Sequence, residues 1–536
     1  MTRAADAAGE SDFLVIGAGA AGCLLANRLS ASSSVSVTLL EAGGADWNPL
    51  IRVPLMAGLL YFMPSLNWGY QTEPQDALDR RRIPWPRGRV VGGSTTINGM
   101  MYVRGHPSDY DDWSRLGLPG WSYENVLPHF RAIERNLSHG PEPDRYHGRS
   151  GEVFAARAPA KNPIYAAWLE AARQAGYSPN DDFNGVDQEG VGPFDFNIRN
   201  GRRVSAADAF LRPVRRRPNL RLVTLAPAAR LLFDGARCVG AETVDGRRFL
   251  TRGEVILAAG AVNSPALLQL SGIGDAERLA ALGVGPRLNL PSVGANLQDH
   301  LGVAIRLQSR EAVTLHGLMR PDRALAAGVA ALAFGVGPAA VCPLEVGGFL
   351  KTRGDLARPD VHVIVVPGLG VSPDRKSQNQ HAFSTTAYQL RPLSRGEVCI
   401  RCPDPRQPPA IDPRYLSDPA DRGCLRDSIR LLRGILAQPA LDRFRGAEML
   451  PGADVSSDAA IDQYVAATAS TVFHPAGTCR MGPPGDAVVD AQLRVRGVER
   501  LRVADASIMP TIIGGNTSAP TMMIAERCAA MILAGR

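Results

Sequence analysis

Residues 13–41 read FLVIGAGAAGCLLANRLSASSSVSVTLLE, and no other stretch restricts the fold as strongly. The apolar run Phe13–Ile16 leads straight into Gly17-Ala18-Gly19-Ala20-Ala21-Gly22, after which Leu24, Leu25, Ala26 and Leu29 recur at helical spacing. That is a strand, a tight glycine turn and a helix. Gly17 permits the turn, Gly19 lets backbone approach a pyrophosphate, and Gly22 lets the helix pack close to the strand. A second buried strand, Val35 to Leu40, ends at Glu41, 19 residues beyond Gly22, where a carboxylate accepts the hydroxyl hydrogen bonds of an adenosine ribose. The order specifies a Rossmann-like unit for a dinucleotide and leaves NAD or FAD open.

A chain of 536 residues has room for roughly three domains, and 45% apolar residues fill their cores. The net charge of +7 would suit nucleic acid only if gathered into a stripe with aromatic platforms. The one dense cluster, RPVRRRPNL from Arg212, has no aromatic residue and reads as a solvated loop, so no nucleic-acid partner is expected. Cys399 and Cys402 lack a second pair for zinc and sit in a strand-like alternation, so no metal site is expected. The start, MTRAADAAGESD, has no basic region leading into an apolar core, and no uninterrupted apolar run of about 18 residues follows. A cytoplasmic protein without a transmembrane segment is the expectation.

Arg87 to Gly105, RGRVVGGSTTINGMMYVRG, presents Gly92-Gly93-Ser94 and Asn98-Gly99, small residues whose backbone can lie along a flavin. This segment resembles the first signature of the glucose-methanol-choline (GMC) family of FAD-dependent oxidoreductases. GAVNSPALLQLSGIG, from Gly260, is similar to the second, and HPAGTCRMG, LRVADASIMP and GGNTSAPTMMIAER extend the resemblance to the C-terminus. The resemblance implies an α/β (α+β overall) fold: a Rossmann-like FAD domain of discontinuous segments and a substrate domain with an antiparallel sheet covered by helices. The expected division is 1–307 mainly FAD-binding, 308–450 mainly substrate-binding, and 451–536 returning to the FAD domain. Runs such as VHVIVVPG from Val361 and TTAYQLRPLSRGEVCIRC from Thr385 alternate with period two, as a half-exposed antiparallel sheet does.

By the resemblance, Gly17, Ala18, Gly19, Ala20, Gly22, Glu41, Ala42 and Ala228 hold the ADP half of FAD. Gly93, Ser94, Asn98, Gly99 and Met100 line the flavin, and Trp68, Val91 and Ala259 are further cofactor-binding residues. Asp505 and Ala506 lie by the pyrophosphate and ribityl chain, and Thr517 by the pyrimidine edge. Some family members bond FAD to a histidine in the loop after the Gly-Gly pair; here that position is Ile97, which has no nucleophilic atom, so non-covalent FAD is expected.

His474, in TVFHPAGTCRMG, could by itself be a base, a metal ligand with Cys479, or a core histidine. An alcohol that gives up hydride must also lose its hydroxyl proton, and an imidazole of pKa about 6.5 is suited to take it. The resemblance makes His474 the base and Asn516 the residue that orients the substrate oxygen, with hydride passing to flavin N5. The expected reaction is oxidation of an alcohol to an aldehyde or ketone, in the manner of bacterial choline, L-sorbose and aliphatic-alcohol dehydrogenases. Tyr61, Phe62, Glu345 and Phe473 are the pocket candidates, a homodimer is allowed, and a quinone or dye is favoured over oxygen as acceptor. A hydroxynitrile-lyase-like enzyme or a non-catalytic flavin-binding protein on the same fold are the alternatives.

Overall fold

The computed structural model describes residues 7–138, 144–369 and 380–535. Two seven-stranded sheets organise the chain. In the first, β1 (Ala7–Ile16) lies between β2 (Val37–Leu40) and the strand Arg248–Leu257, parallel to both. Leu220–Val223 extends the parallel set on one side, Leu501–Val503 joins Arg248–Leu257 from the far end of the chain, and an antiparallel meander of Ala228–Asp234 and Arg237–Thr243 closes the other side. Phe13–Ile16 is buried on both faces, which is why it reads as an unbroken apolar run, and Val37–Leu40 is buried throughout, Thr38 included. The helix α1 (Ala20–Leu29) packs on this sheet and against the C-terminal helix Ser518–Ala534. Gly17 turns at φ +103°, and a Cβ there would lie 2.6 Å from the Ala258 carbonyl oxygen; a Cβ on Gly22 would strike the Gly17 oxygen.

The second sheet is antiparallel throughout, in the order Arg445–Leu450, Leu301–Ser309, Ala382–Gln389, Val361–Val366, Val346–Leu350, Gly190–Pro193, with Ser470–Thr471 beside Leu301–Ser309. Helices Pro163–Gln174 and Pro419–Leu436 cover one face through Ile164, Trp168, Leu425, Ile429 and Leu432. The other face meets Met100, Met101 and Val103 from the loop after the Gly-Gly pair. A division at 307/308 cuts through Leu301–Ser309, which belongs wholly to this sheet. The run from Thr385 also divides: Ala382–Gln389 stays in the sheet, whereas Glu397–Cys399 forms a separate ribbon with Ala410–Asp412.

Register does the positioning. Gly302 pairs with Tyr388, Tyr388 with His362, and His362 with Phe349, so one cross-strand row on the inner face carries a tyrosine, a histidine and a phenylalanine. Gly302 is required there, because a Cβ would come within 2.9 Å of the Tyr388 Cβ.

Candidate active site

His474 stands at the end of a ribbon in which residues 470–476 run antiparallel to 298–302. Its amide donates to Asp299 Oδ1 at 2.7 Å, and Asp299 Oδ2 accepts from the Tyr415 and Thr471 hydroxyls. Burial pushes the Asp299 carboxyl up to about 6. Phe473 sits at φ +70°, uncommon for a bulky residue, and the Arg87 guanidinium donates to its carbonyl at 2.8 Å. Local strain next to the imidazole is therefore held from two sides.

The imidazole lies in a chain whose direction follows from its ends. His300 Nε2 is 3.0 Å from the Leu390 carbonyl, which can only accept, so that nitrogen carries the proton. Burial holds His300 down to about 3, hence it is neutral and its Nδ1 is an acceptor. His474 Nδ1, 3.0 Å away, must then be the donor. His474 is also held well below the ordinary histidine value, first by burial and then by His300, Arg87 and His362. A neutral ring with Nδ1–H makes Nε2 the acceptor, and Asn516 Nδ2 donates to it at 3.1 Å. Tyr388 stacks on His300 and stands 5.8 Å, centroid to centroid, from His474, while its hydroxyl bonds His362 Nδ1.

Asn516 is fixed through its neighbours. Asp109 Oδ2 accepts from the Gly514 amide at 2.7 Å, while Oδ1 is 2.7 Å from the Arg391 guanidinium, next to the Leu390 that ends the histidine chain. One buried carboxylate thus ties both ends of the array together. Asn516 Oδ1, Ser518 Oγ and Ser507 Oγ are buried without a protein partner, and the helix Ser518–Ala534 has no side-chain cap over its N-terminus. Orphaned polar atoms around an open helix N-terminus suit a polar heterocycle edge.

Some of the expected cofactor residues meet one another. A Cβ on Gly93 would lie 2.7 Å from the Gly19 Cα, and the Gly92 amide donates to the Ala18 carbonyl at 2.7 Å, so the two glycine loops touch. Val91 donates to the Gly44 carbonyl, Ser94 Oγ accepts from the Gly88 amide, and Asn98 Oδ1 accepts from the Met100 amide and the buried Arg203. Met100 turns at φ +61°; a Cβ on Gly99 would press on Leu344. Glu41 Oε2 and Oε1 accept from the Ala18 and Gly43 amides at 2.9 and 2.8 Å, each oxygen retaining a second lone pair. Beside it a cavity of about 390 Å³ is lined by Ala42, Arg89, Leu225, Pro227, Val244, Asp245 and Arg406, and Ala228 begins the adjoining strand. Ala20 opens α1, Ala259 backs the Gly17 turn, and Thr517 stands at the N-cap position of the last helix without a side-chain bond to it. Asp505 spends both oxygens on protein, Oδ2 on Gly260 and Ser264 and Oδ1 on the Ser507 amide, so it braces the loop carrying Ala506. Trp68 stacks on Tyr70 under the Arg89 guanidinium. Ile97 is buried in an apolar cluster.

Family-model comparison matches residues 11–302 to the N-terminal and residues 392–525 to the C-terminal portion of GMC oxidoreductases. The chain belongs to the GMC oxidoreductase family. Among GMC relatives, mouse mitochondrial choline dehydrogenase is 43% identical over 538 residues, covering 98% of this chain and 89% of that protein. The oxygen-dependent choline dehydrogenase of Brucella anthropi is 42% identical, covering 98% and 96%. Pyridoxine 4-oxidase from Mesorbium loti superposes with a TM-score of 0.87 at 34% identity, covering 97% and 99%. A formate oxidase variant of Aspergillus oryzae, solved to follow modification of its FAD, superposes at 0.93 and 26% identity, covering 99% of each chain.

Within this GMC frame the structure brings His474 and Asn516 into contact and sets Tyr61 against Phe473, ring centroids 4.9 Å apart. Glu345 is buried just before Val346–Leu350, its carboxylate beside Ala160 and Tyr165. Phe62, beside Tyr61, is 60% exposed. Sequence reading missed His300, Asp299 and Tyr388. His300 lies in NLQDHLG, 174 residues from its partner, and only the ribbon register joins them.

Proposed function

We propose that this GMC oxidoreductase oxidises a small alcohol with a cationic nitrogen, choline or a close analogue, by proton removal at His474 Nε2. The lone pair at that atom, enforced by the Leu390–His300–His474 hydrogen-bond chain, is the observation that carries the reading. FAD, whose contacts the glycine loops and the open helix N-terminus suit, supplies the hydride acceptor. The chain's own residues do the rest. His474 takes the hydroxyl proton, the Asn516 amide orients the oxygen, and Tyr61 and Phe473 wall the site. Anaerobic mixing with choline and a panel of neutral alcohols tests this: bleaching of the flavin band near about 450 nm supports an oxidoreductase. Unbleached flavin with cleavage of a cyanohydrin would point to a lyase, and unbleached flavin with neither to a binding protein.

Glu345 supports the cationic substrate. Its Oε1 accepts from the Ala160 amide at 3.2 Å, burial raises it to about 7, and Lys161, Cys342 and Tyr165 are the ionisable groups around it. A carboxylate desolvated at such a cost gains most from a cation. The carboxylate form prevails above about 7 and the neutral form below it, so KM for choline should rise as pH falls through that value, while KM for a neutral alcohol stays flat. Glu345→Gln should raise KM for choline about 10- to 100-fold, the worth of one charge-assisted contact, and abolish that pH dependence.

Ile97 puts no nucleophile at the loop position matched to the attachment histidine of some family members, so FAD should be non-covalent. Acid precipitation should release the yellow colour into the supernatant; a yellow pellet would contradict this. Oxygen replaces the quinone or dye as the favoured acceptor, on the support of the oxygen-dependent relative. Reoxidation in air much slower than with a quinone analogue would reverse that choice.

A further inference from the structure

Arg203, in the strand Arg202–Arg203, is only 2% exposed, and its charge has no acid of its own. The other arginine buried so deeply, Arg104, pairs with Glu134 at 2.6 Å. Arg203 Nε instead donates to the Ile51 carbonyl at 3.0 Å, and Nη1 donates to the Thr95 carbonyl and both oxygens of Asn98 at 3.2, 2.6 and 2.8 Å. All four acceptors are neutral. Nη2 is buried and bonds to nothing among the described residues. Asp208, the carboxylate among the ionisable groups around it, is already spent on Arg52, Arg212 and Ser205. Burial lowers Arg203 to about 10, the mark of a guanidinium whose lost hydration no partner replaces.

The remaining ionisable groups around Arg203 are Tyr61 and Cys342. Around Tyr61 stand Arg203, Cys342 and a second arginine, Arg87, and no side chain bonds the Tyr61 hydroxyl. Arg87 also spends its donors on neutral groups, Nε on the Pro86 carbonyl at 2.7 Å and Nη2 on the Phe473 carbonyl at 2.8 Å, and burial lowers it as well. Asp299, the acid near Arg87, gives its oxygens to the His474 amide and the Tyr415 and Thr471 hydroxyls. Two arginine charges without acids therefore converge on one uncommitted phenol. The Cys342 thiol, pushed up to about 12, stays neutral and adds no negative charge. A guanidinium N–H and a phenol O–H with no acceptor between them make a set that a carboxylate completes.

We propose that Arg203 Nη2 and the Tyr61 hydroxyl form a binding site for a short carboxylate, one carboxylate oxygen accepting from each, with Arg87 adding to the field that holds it. The Tyr61 ring packs on Phe473, next to His474, so the anion sits beside the pocket given above to the alcohol. Cys342 has Glu345 as well as Arg203 among its ionisable neighbours, so the cation site and the anion site adjoin the same thiol. A bound carboxylate should therefore compete with the alcohol. That consequence rests on the alcohol reading; the anion site itself does not.

Thermal melting of the holoenzyme in sodium acetate and in acetamide, with ionic strength held by sodium HEPES, reads binding without turnover. The two additives share size and shape, so charge separates them. Acetate should raise the melting temperature to a plateau, and acetamide at equal concentration should not. Tyr61→Phe keeps the ring against Phe473 and removes the hydroxyl; Arg203→Lys keeps the charge and removes the guanidinium fork. Each should raise the acetate concentration for half the shift by about tenfold, the loss of one charge-assisted bond. If Arg203→Lys fails to fold or to hold FAD, Tyr61→Phe carries the test. Equal responses to acetate and acetamide, including none, overturn the proposal. So does an acetate shift that the folded variants retain unchanged, which would place the anion elsewhere on this arginine-rich chain. With choline varied, acetate should raise KM and leave kcat unchanged; acetate binding lost in the variants but without that competition supports the site and counts against an alcohol beside Tyr61.

Discussion

Replacing His474 by alanine is expected to leave a folded protein that still holds FAD, while flavin reduction by an alcohol slows by about 10²–10⁴-fold, the usual worth of a positioned base. The loss should fall on kcat, because His474 meets the hydroxyl proton and not the rest of the substrate. Asn516→Ala should cost less, about 1.5–3 kcal/mol, since the asparagine orients the oxygen and takes no proton. Anaerobic stopped-flow reduction and melting temperature, read on the same two variants, separate this from a structural role. A buried histidine that only fills space would lower the melting temperature on removal and leave the rate of the folded fraction near wild type. An alanine variant with wild-type reduction would end the assignment.

The dinucleotide turn was legible in the sequence because its physics is local: Gly17 and Gly22 are each dictated by a close backbone approach within a short stretch or from a neighbouring strand, whereas a Cβ on Gly19 would meet nothing nearer than the Gly93 Cα at 4.0 Å. The roles proposed for His474 and Asn516 were reached only through family resemblance, for nothing within TVFHPAGTCRMG separates a base from a core histidine. What supports the role proposed for His474 is its Nδ1 contact, and that depends on pairing 470–476 with 298–302, a register no local pattern encodes. The same holds for Tyr388 and His362, which the alternation assigns to a strand but not to a cross-strand row. An aromatic residue beside Tyr61 looks alike in the sequence whether it is buried or exposed; the short helix Ala57–Leu60 and the turn after it leave Phe62 exposed.

The second large effect is expected at His300, a positioning residue. His300→Phe keeps a ring against Tyr388 but removes both the donor to Leu390 and the acceptor for His474 Nδ1–H. His474 is then free to take its proton on Nε2, the atom that must accept one, and kcat should fall by about 10²-fold. The orphaned Leu390 carbonyl adds about 1–3 kcal/mol of destabilisation, so melting temperature falls as well and cannot distinguish the roles by itself. Two further readouts do. His300 is one of the influences holding His474 below the ordinary histidine value, so its loss should raise the His474 pKa. A base works only when unprotonated, hence the acid limb of the kcat/KM profile should move to higher pH. His300→Asn should recover part of the rate, because an amide can donate to Leu390 through its nitrogen and accept from His474 through its oxygen. A phenylalanine variant with an unmoved acid limb, or an asparagine variant no better than phenylalanine, would reduce His300 to a packing residue and leave the tautomer of His474 set by Asn516 alone.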